Sequence, residues 1–251
     1  PELPLTPYMG GPVELVEAPN GAIANKRILE GIGEVAWLEP TIEQPVDGVW
    51  VFGGFGLAPI AIIDTDEGLI AFDTGDTRHD GELLLEAIRT VSNKPVKAII
   101  YGHSHTVFGA GVLAEGSEDI PIIGHPNLNS VVETNMKAAG APAYFQELGP
   151  YLTARAVIQF NAFMPKEGPD AWVVPTTLPE DFDMAFIPVN TPVEDGQEMT
   201  VLGQKMQFFT KYGSDDKVHT TVWLPERKVV FTTLLWSGPP QLYSLRGDVF
   251  R

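Results

Sequence analysis

The chain has 251 residues, enough to bury a substantial core in one α/β domain or in one domain with extensions. Its formal charge of −17, from 33 acidic against 16 basic residues, repels phosphate backbones and argues against a nucleic-acid partner. With no cysteine there is no disulfide, thiolate zinc site or cysteine nucleophile, so any metal must be held by His, Asp or Glu.

No apolar run approaches the ~20 residues of a membrane helix. The opening "PELPLTPYMGG" has neither the basic nor the apolar stretch of a signal peptide. Beginning at Pro rather than Met suggests a processed or trimmed N-terminus, and a periplasmic or secreted location is favoured over the cytoplasm. Residues 1–45, rich in Gly and Pro, read as an extension wrapping a core domain that spans 46–236.

From Val46 the pattern sharpens. "GVWVFGGFG" and "APIAIIDTDEG" read as a hairpin, and "TDEG" turns the chain into a third strand, "LIAFDTG". "DGELLLEAIRTV" sets Leu84, Leu85, Ile88 and Val91 at helical spacing, with Asp80 as its N-cap. "KPVKAIIYGHSH" is a buried strand that runs into two histidines. "FGAGVLAEG" is a short helix or turn, "IPIIGHP" another buried strand, and "NLNSVVETNMKAAG" a helix opened by Asn127 or Asn129 and closed by Gly140. Residues 141–182, aromatic and then Pro-rich, read as an insertion or lid. Strands return in "MAFIPVN", "QEMTVLGQKMQFFTKYG" and "KVHTTVWLPERKVVFTTLL", with hairpin turns at "VLGQK" and "LPERK". This order predicts a layered α/β fold with a mixed sheet.

Three stretches carry chemistry. "FDTGD" puts Asp73 and Asp76 at a strand end, where a carboxylate can orient a metal ligand or simply make a tight turn. "GHSHT" puts His103 and His105 beyond the carboxyl end of a buried strand, and their alternate spacing lets both imidazoles reach one ion. Two histidines capping the next helix are the plainer alternative. "YGSDDKVHTT" offers Asp215 and His219 as late ligands, either of which would complete a three-ligand site with an open position. His125 follows the next strand and reads as a cap of the following helix, and His79 reads as a surface residue.

"IIDTDEGLIAFDTGD", then "KAIIYGHSH" with a Gly-containing helix start, resembles the metallo-β-lactamase superfamily. "EDGQEMTVLGQKMQFF", "KYGSDDKVHTTVWLPERKVVF" and "PPQLYSLRGDVFR" resemble its alkylsulfatase branch, over about residues 45 to 251. The resemblance implies an αββα sandwich of two mixed sheets, a metal-dependent hydrolase, and an ester substrate with alkyl sulfates the first guess. The metal motif is incomplete. The superfamily pattern is His-x-His-x-Asp-His, whereas this chain has His103 and His105 followed by Val107 and Phe108 in place of the Asp and His of the second metal. The family's third-motif Glu falls on Asp215, its next Glu on His219, and its bridging Glu on Leu234. The family's last ligand and further domains lie beyond the Leu-Arg-Gly segment, which implies that 237–251 is a tail truncated before them.

The expected site therefore holds one zinc, with iron as the alternative ion, on His103, His105, Asp215 and His219. Asp73, Asp76 and Asp216 would orient the ligands or the attacking water. Arg155, Lys211 and Arg246 are the cations available to a sulfate, and Phe108 would contact the apolar part of a small-molecule substrate. A homodimer, or association with a missing C-terminal segment, is the expected assembly. Two other readings stay open: a mononuclear metal oxygenase or lyase, and a non-catalytic relative that binds a ligand in the old cleft.

Overall fold

In this computed structural model the residues described are 13–27, 29–30, 40–56, 58–115, 117, 119–140, 165, 167–171, 184–213 and 216–233. Leu15–Glu17 (β1) and Ile23–Asn25 (β2) form a separate antiparallel ribbon. Thr41–Val46 (β3), Val49–Gly53 (β4), Ile60–Thr65 (β5) and Gly68–Phe72 (β6) then make an antiparallel meander. Val96–Ile100 (β7), Ile122–Gly124 (β8) and Thr191–Pro192 (β9) extend it in parallel, giving one mixed seven-stranded sheet in the order β3 to β9. Parallel neighbours need crossovers. Arg78–Val91 (α1) links β6 to β7. Ala110–Leu113 (α2) lies between β7 and β8, and Leu128–Gly140 (α3) follows β8.

Glu198–Val201 (β10), Gln204–Phe209 (β11), Thr221–Leu224 (β12) and Val229–Phe231 (β13) form the second sheet. The four strands are antiparallel throughout, so the mixed pairing is confined to the first sheet. The "VLGQK" turn closes with Leu202 and Gly203 both at positive φ, the backbone a two-residue hairpin requires.

Alternation along the strands sorts the core into two layers. Ile60, Ile62, Leu69, Ala71 and Ile99 face the helices and pack with Leu84, Ala87 and Ile88 of α1. Ala61, Ile63, Ile70, Phe72 and Ile100 point the other way, onto Met206, Phe208, Val222, Leu224 and Phe231 of the second sheet. The rings of Phe72 and Phe231 lie 5.3 Å apart across that interface. Each fully buried side chain of this kind contributes about 1.5–3 kcal/mol of transfer free energy. None of the described helices is long and apolar enough to cross a membrane.

Two expectations change. The N-cap of α1 is Thr77, whose hydroxyl accepts the Asp80 amide at 3.1 Å. Asp80 instead reaches back to accept the Asp76 amide at 3.0 Å. Thr77 wins because Asp80 already lies inside the first turn. "MAFIPVN" is extended but joins no ladder, because its backbone groups pair elsewhere. The Ala185 amide donates to Phe108 O, the Ile187 carbonyl accepts the Tyr101 hydroxyl, and Val189 is held by the Asn129 side chain.

Candidate metal centre

Open α/β sheets gather ligands beyond the carboxyl ends of their parallel strands. Here β6 ends at Phe72, β7 at Ile100 and β8 at Gly124. Asp73, His103 and His125 therefore follow three adjacent strands onto one rim.

The Asp73–Gly75 turn and the histidine loop are sewn together by backbone bonds. Asp73 N donates to Ile100 O, Thr74 N and Oγ1 both donate to Thr106 O, and Phe108 N donates to Gly75 O. Asp73 has φ +63°, an uncommon region for a non-glycine residue, and its Oδ1 accepts the Gly102 amide at 2.7 Å. Its Oδ2 is buried, without a hydrogen bond among the described residues. Burial pushes the Asp73 carboxyl up to about 7, against the opposing pull of the Gly102 amide. Gly102 has no room for a side chain: a Cβ there would lie 2.7 Å from Thr233 Cγ2 and 2.8 Å from Asp73 Oδ2.

The third segment arrives from the second sheet. Thr220 N donates to Gly102 O at 2.7 Å, which brings the neighbouring His219 onto the histidine loop. The ring centres of His103 and His105 are 5.0 Å apart, and those of His103 and His219 are 5.5 Å apart, each pair edge to face. His103 and His219 are buried, while His105 is exposed, so the cluster opens to solvent on the His105 side. Thr106 Oγ1 lies 3.2 Å from His103 Nδ1, which makes Nε2 the nitrogen a metal would take.

Asp216 ties the two segments. Its Oδ2 accepts both the amide and the hydroxyl of Ser104, the residue between the two loop histidines. Its Oδ1 accepts the Lys217 amide at 2.5 Å and the Val218 amide at 3.3 Å. Burial alone would raise the Asp216 carboxyl. The Ser104 hydrogen bonds and the nearby His105 outweigh it and hold the group below the usual range.

The remaining expected residues scatter. Asp76 is half-buried beside Asp80, facing the Gly56 backbone, and its charge adds to the upward push on Asp73. Val107 is fully buried in the helix-side core, and Phe108 packs against that core, 6.3 Å from the Phe186 ring. Lys211 is exposed and pairs with Asp195 at 3.3 Å. His125 caps α3 as expected: its Nδ1 accepts the Asn127 amide and its carbonyl accepts the Leu128 amide. It also feels Asp216, Glu194 and His219, and burial, the largest influence, lowers its pKa. His79 is on the surface beside Glu82. Asp215, Arg155 and Arg246 lie outside the described residues, as does most of 141–182 and all of 237–251. Ser104, Thr106 and Thr220 were passed over as spacers in the sequence. Only their position beside the histidines marks them.

No family model matches the chain. A linear primary-alkylsulfatase from Pseudomonas sp. (strain ATCC 19151) is 29% identical over 197 residues, which covers 76% of this chain and 36% of the relative. A double mutant of the sec-alkyl sulfatase PisA1 superposes with a TM-score of 0.63 at 16% identity, over 94% of this chain and 42% of that one. The sec-alkylsulfatase Pisa1 from Pseudomonas sp. gives 0.60 at 18% identity, over 86% and 38%. The chain has the fold of these sulfatases and is similar in sequence, over three quarters of its length, to a linear primary-alkylsulfatase. It spans little more than a third of the curated relative's length.

A bound metal is the group that the sequence resemblance implies. Among the described residues no set of three or more His, Asp or Glu side chains is gathered as a finished site. Taken pair by pair, the two ring spacings around His103 are those of imidazoles that share an ion: with Zn–N near 2.1 Å, ring centres at tetrahedral angles fall roughly 5 Å apart. The chain thus brings His105 and His219, from two segments, each beside the His103 ring, and places Val107, where the pattern of the second metal has Asp, inside its core.

Proposed function

We propose that this chain is a metal-dependent hydrolase of an ester, with alkyl sulfates the first substrate class, working through a single metal position on His103, His105 and His219. The observation that carries the reading is the placement of the His105 and His219 rings at 5.0 and 5.5 Å from the buried His103 ring. The alkylsulfatase relatives support the reaction class. When bound, a zinc ion supplies Lewis acidity and a water acidified toward a pKa of ~7. The chain's own residues do the positioning. Thr106 holds His103 through Nδ1, Asp73 holds the Gly102 amide just before it, and Asp216 holds Ser104 between the two loop histidines. The exposed face of His105 marks the side from which substrate enters.

Metal analysis of the purified chain tests this directly. One equivalent of zinc is expected, falling below a tenth of an equivalent in His103→Ala and in His219→Ala. Turnover of a long-chain alkyl sulfate in anaerobic buffer is the second expectation, because hydrolysis needs no oxygen. A parent protein that takes up no metal, or that keeps its zinc in both variants, overturns the reading.

A further inference from the structure

We propose that the Ser104–Asp216 clasp is a positioning device that does the cross-linking a second metal would otherwise do. The proposal rests on the metal reading above and goes beyond it. An ion shared between two loops fixes both, because its bonds reach each of them. Here Val107 is buried in the core and Phe108 packs against it, so neither supplies a donor at the positions where the two-metal motif has Asp and His.

A carboxylate stands in as the cross-link. Asp216 Oδ2 accepts the amide and hydroxyl of Ser104, and Asp216 Oδ1 accepts the amides of Lys217 and Val218 in its own loop. Both oxygens are thus committed, one to each loop. Ser104 separates His103 from His105, and Val218 directly precedes His219. The clasp is therefore one residue away from each of the two loop histidines and three from the third. The Thr220 amide on Gly102 O adds a second tie between the same loops. Hydrogen-bonded to four donors, a carboxylate is held ionised and rigid. The two histidine-bearing segments are held together before any ion arrives, and the uptake of one metal does not wait for another.

The test pairs zinc affinity with amide exchange in the full chain. Zinc affinity is measured by competition with a chromophoric chelator, and Ser104 amide protection is measured by hydrogen exchange on the metal-free protein. Asp216→Ala is expected to weaken zinc by roughly 10–100-fold, the usual cost of removing a group that orients a ligand. It should also abolish the Ser104 protection seen in the parent. Ser104→Ala keeps its amide and should lose less. Asp216→Asn keeps one oxygen acceptor and should recover part of the affinity. Arg227→Ala, which cuts ties at the opposite end of the sheets, should leave zinc affinity unchanged and so separates positioning from general destabilisation. Wild-type zinc affinity with wild-type Ser104 protection in Asp216→Ala overturns the clasp. If the parent takes up no zinc, the hydrolase reading fails on its own. The exchange arm then decides, and an unprotected Ser104 amide in the metal-free parent sinks the clasp as well.

Discussion

The two ends of the parallel strands are fastened by opposite means. At the carboxyl ends, Asp73, Thr74, Ser104 and Thr106 are buried, and short bonds from their backbone and side-chain groups join neighbouring loops. At the amino ends the ties are long cationic side chains in partial contact with water. Lys94 Nζ reaches Asp64 Oδ1 at 2.6 Å and Thr65 O at 2.8 Å. Arg227 spans the two sheets, donating to Asp47 O, Asp64 O and Gln204 Oε1. Buried short-range bonds fix positions closely but leave no tolerance for change. Exposed cationic ties tolerate change and contribute little each. The rigid end is the one that carries the histidines, which is where a few tenths of an ångström matter for a metal.

The largest expected effect lies at Asp73. Folding raises this carboxyl from 3.8 to about 7, so the folded chain binds its proton more tightly than the unfolded chain does. The stabilisation is complete below about pH 4 and is lost as pH rises through about 7. At 1.36 kcal/mol per pKa unit, the full loss is on the order of 4 kcal/mol, of which about 2–3 kcal/mol falls between pH 5 and pH 8. Urea denaturation of the metal-free protein at pH 5 and pH 8 should show the drop, and Asp73→Asn should flatten it. Equal slopes in parent and variant would mean that the carboxyl is not the buried group described. Gly102→Ala comes next. Its methyl group would meet Thr233 Cγ2, Asp73 Oδ2 and the Phe72 ring at under 3 Å, so a loss of about 1–3 kcal/mol is expected, together with weaker zinc uptake. A variant as stable as the parent would show the site end to be softer than the contrast requires.

This contrast also explains what the sequence made legible. The strand order from β4 to β8 and helices α1 and α3 could be read because apolar alternation and turn residues are local signals. His103 and His105 could be read because they directly follow an apolar run. The arrival of His219 could be anticipated only as one of two candidates, since it depends on a contact between Thr220 and Gly102 more than a hundred residues apart in sequence. Ser104 was invisible as a functional residue, because a serine between two histidines signals nothing until Asp216 is placed beside it. Lys211 read as a sulfate partner because its charge was the only visible property, whereas the fold gives it Asp195. "MAFIPVN" has strand composition but its partners are side chains and loops, which periodicity does not record.

The amino end should give smaller responses. Arg227→Ala removes three hydrogen bonds from a half-buried guanidinium and is expected to cost about 1–2 kcal/mol, read as a shift in the urea midpoint with zinc affinity unchanged. A change in zinc affinity would show that strain at one end of the sheet reaches the other.

Lys94→Ala is the mildest and the most diagnostic. Its ammonium is about half exposed, with side-chain accessibilities of 45% for Lys94 and 26% for Asp64, so solvent screens much of the 2.6 Å pair. Such pairs are worth about 0–1 kcal/mol. The remaining bond to Thr65 O pins the loop before β7 to the end of β5, and it too is partly wet. The expected loss is under about 1 kcal/mol in dilute buffer and should shrink further in 0.5 M salt, where the Debye length falls to a few ångströms. A loss that is larger, and indifferent to salt, would mean that the tie acts through packing of the lysine stem rather than through charge. The two ends of the sheet would then be fastened by the same kind of force, differing only in degree.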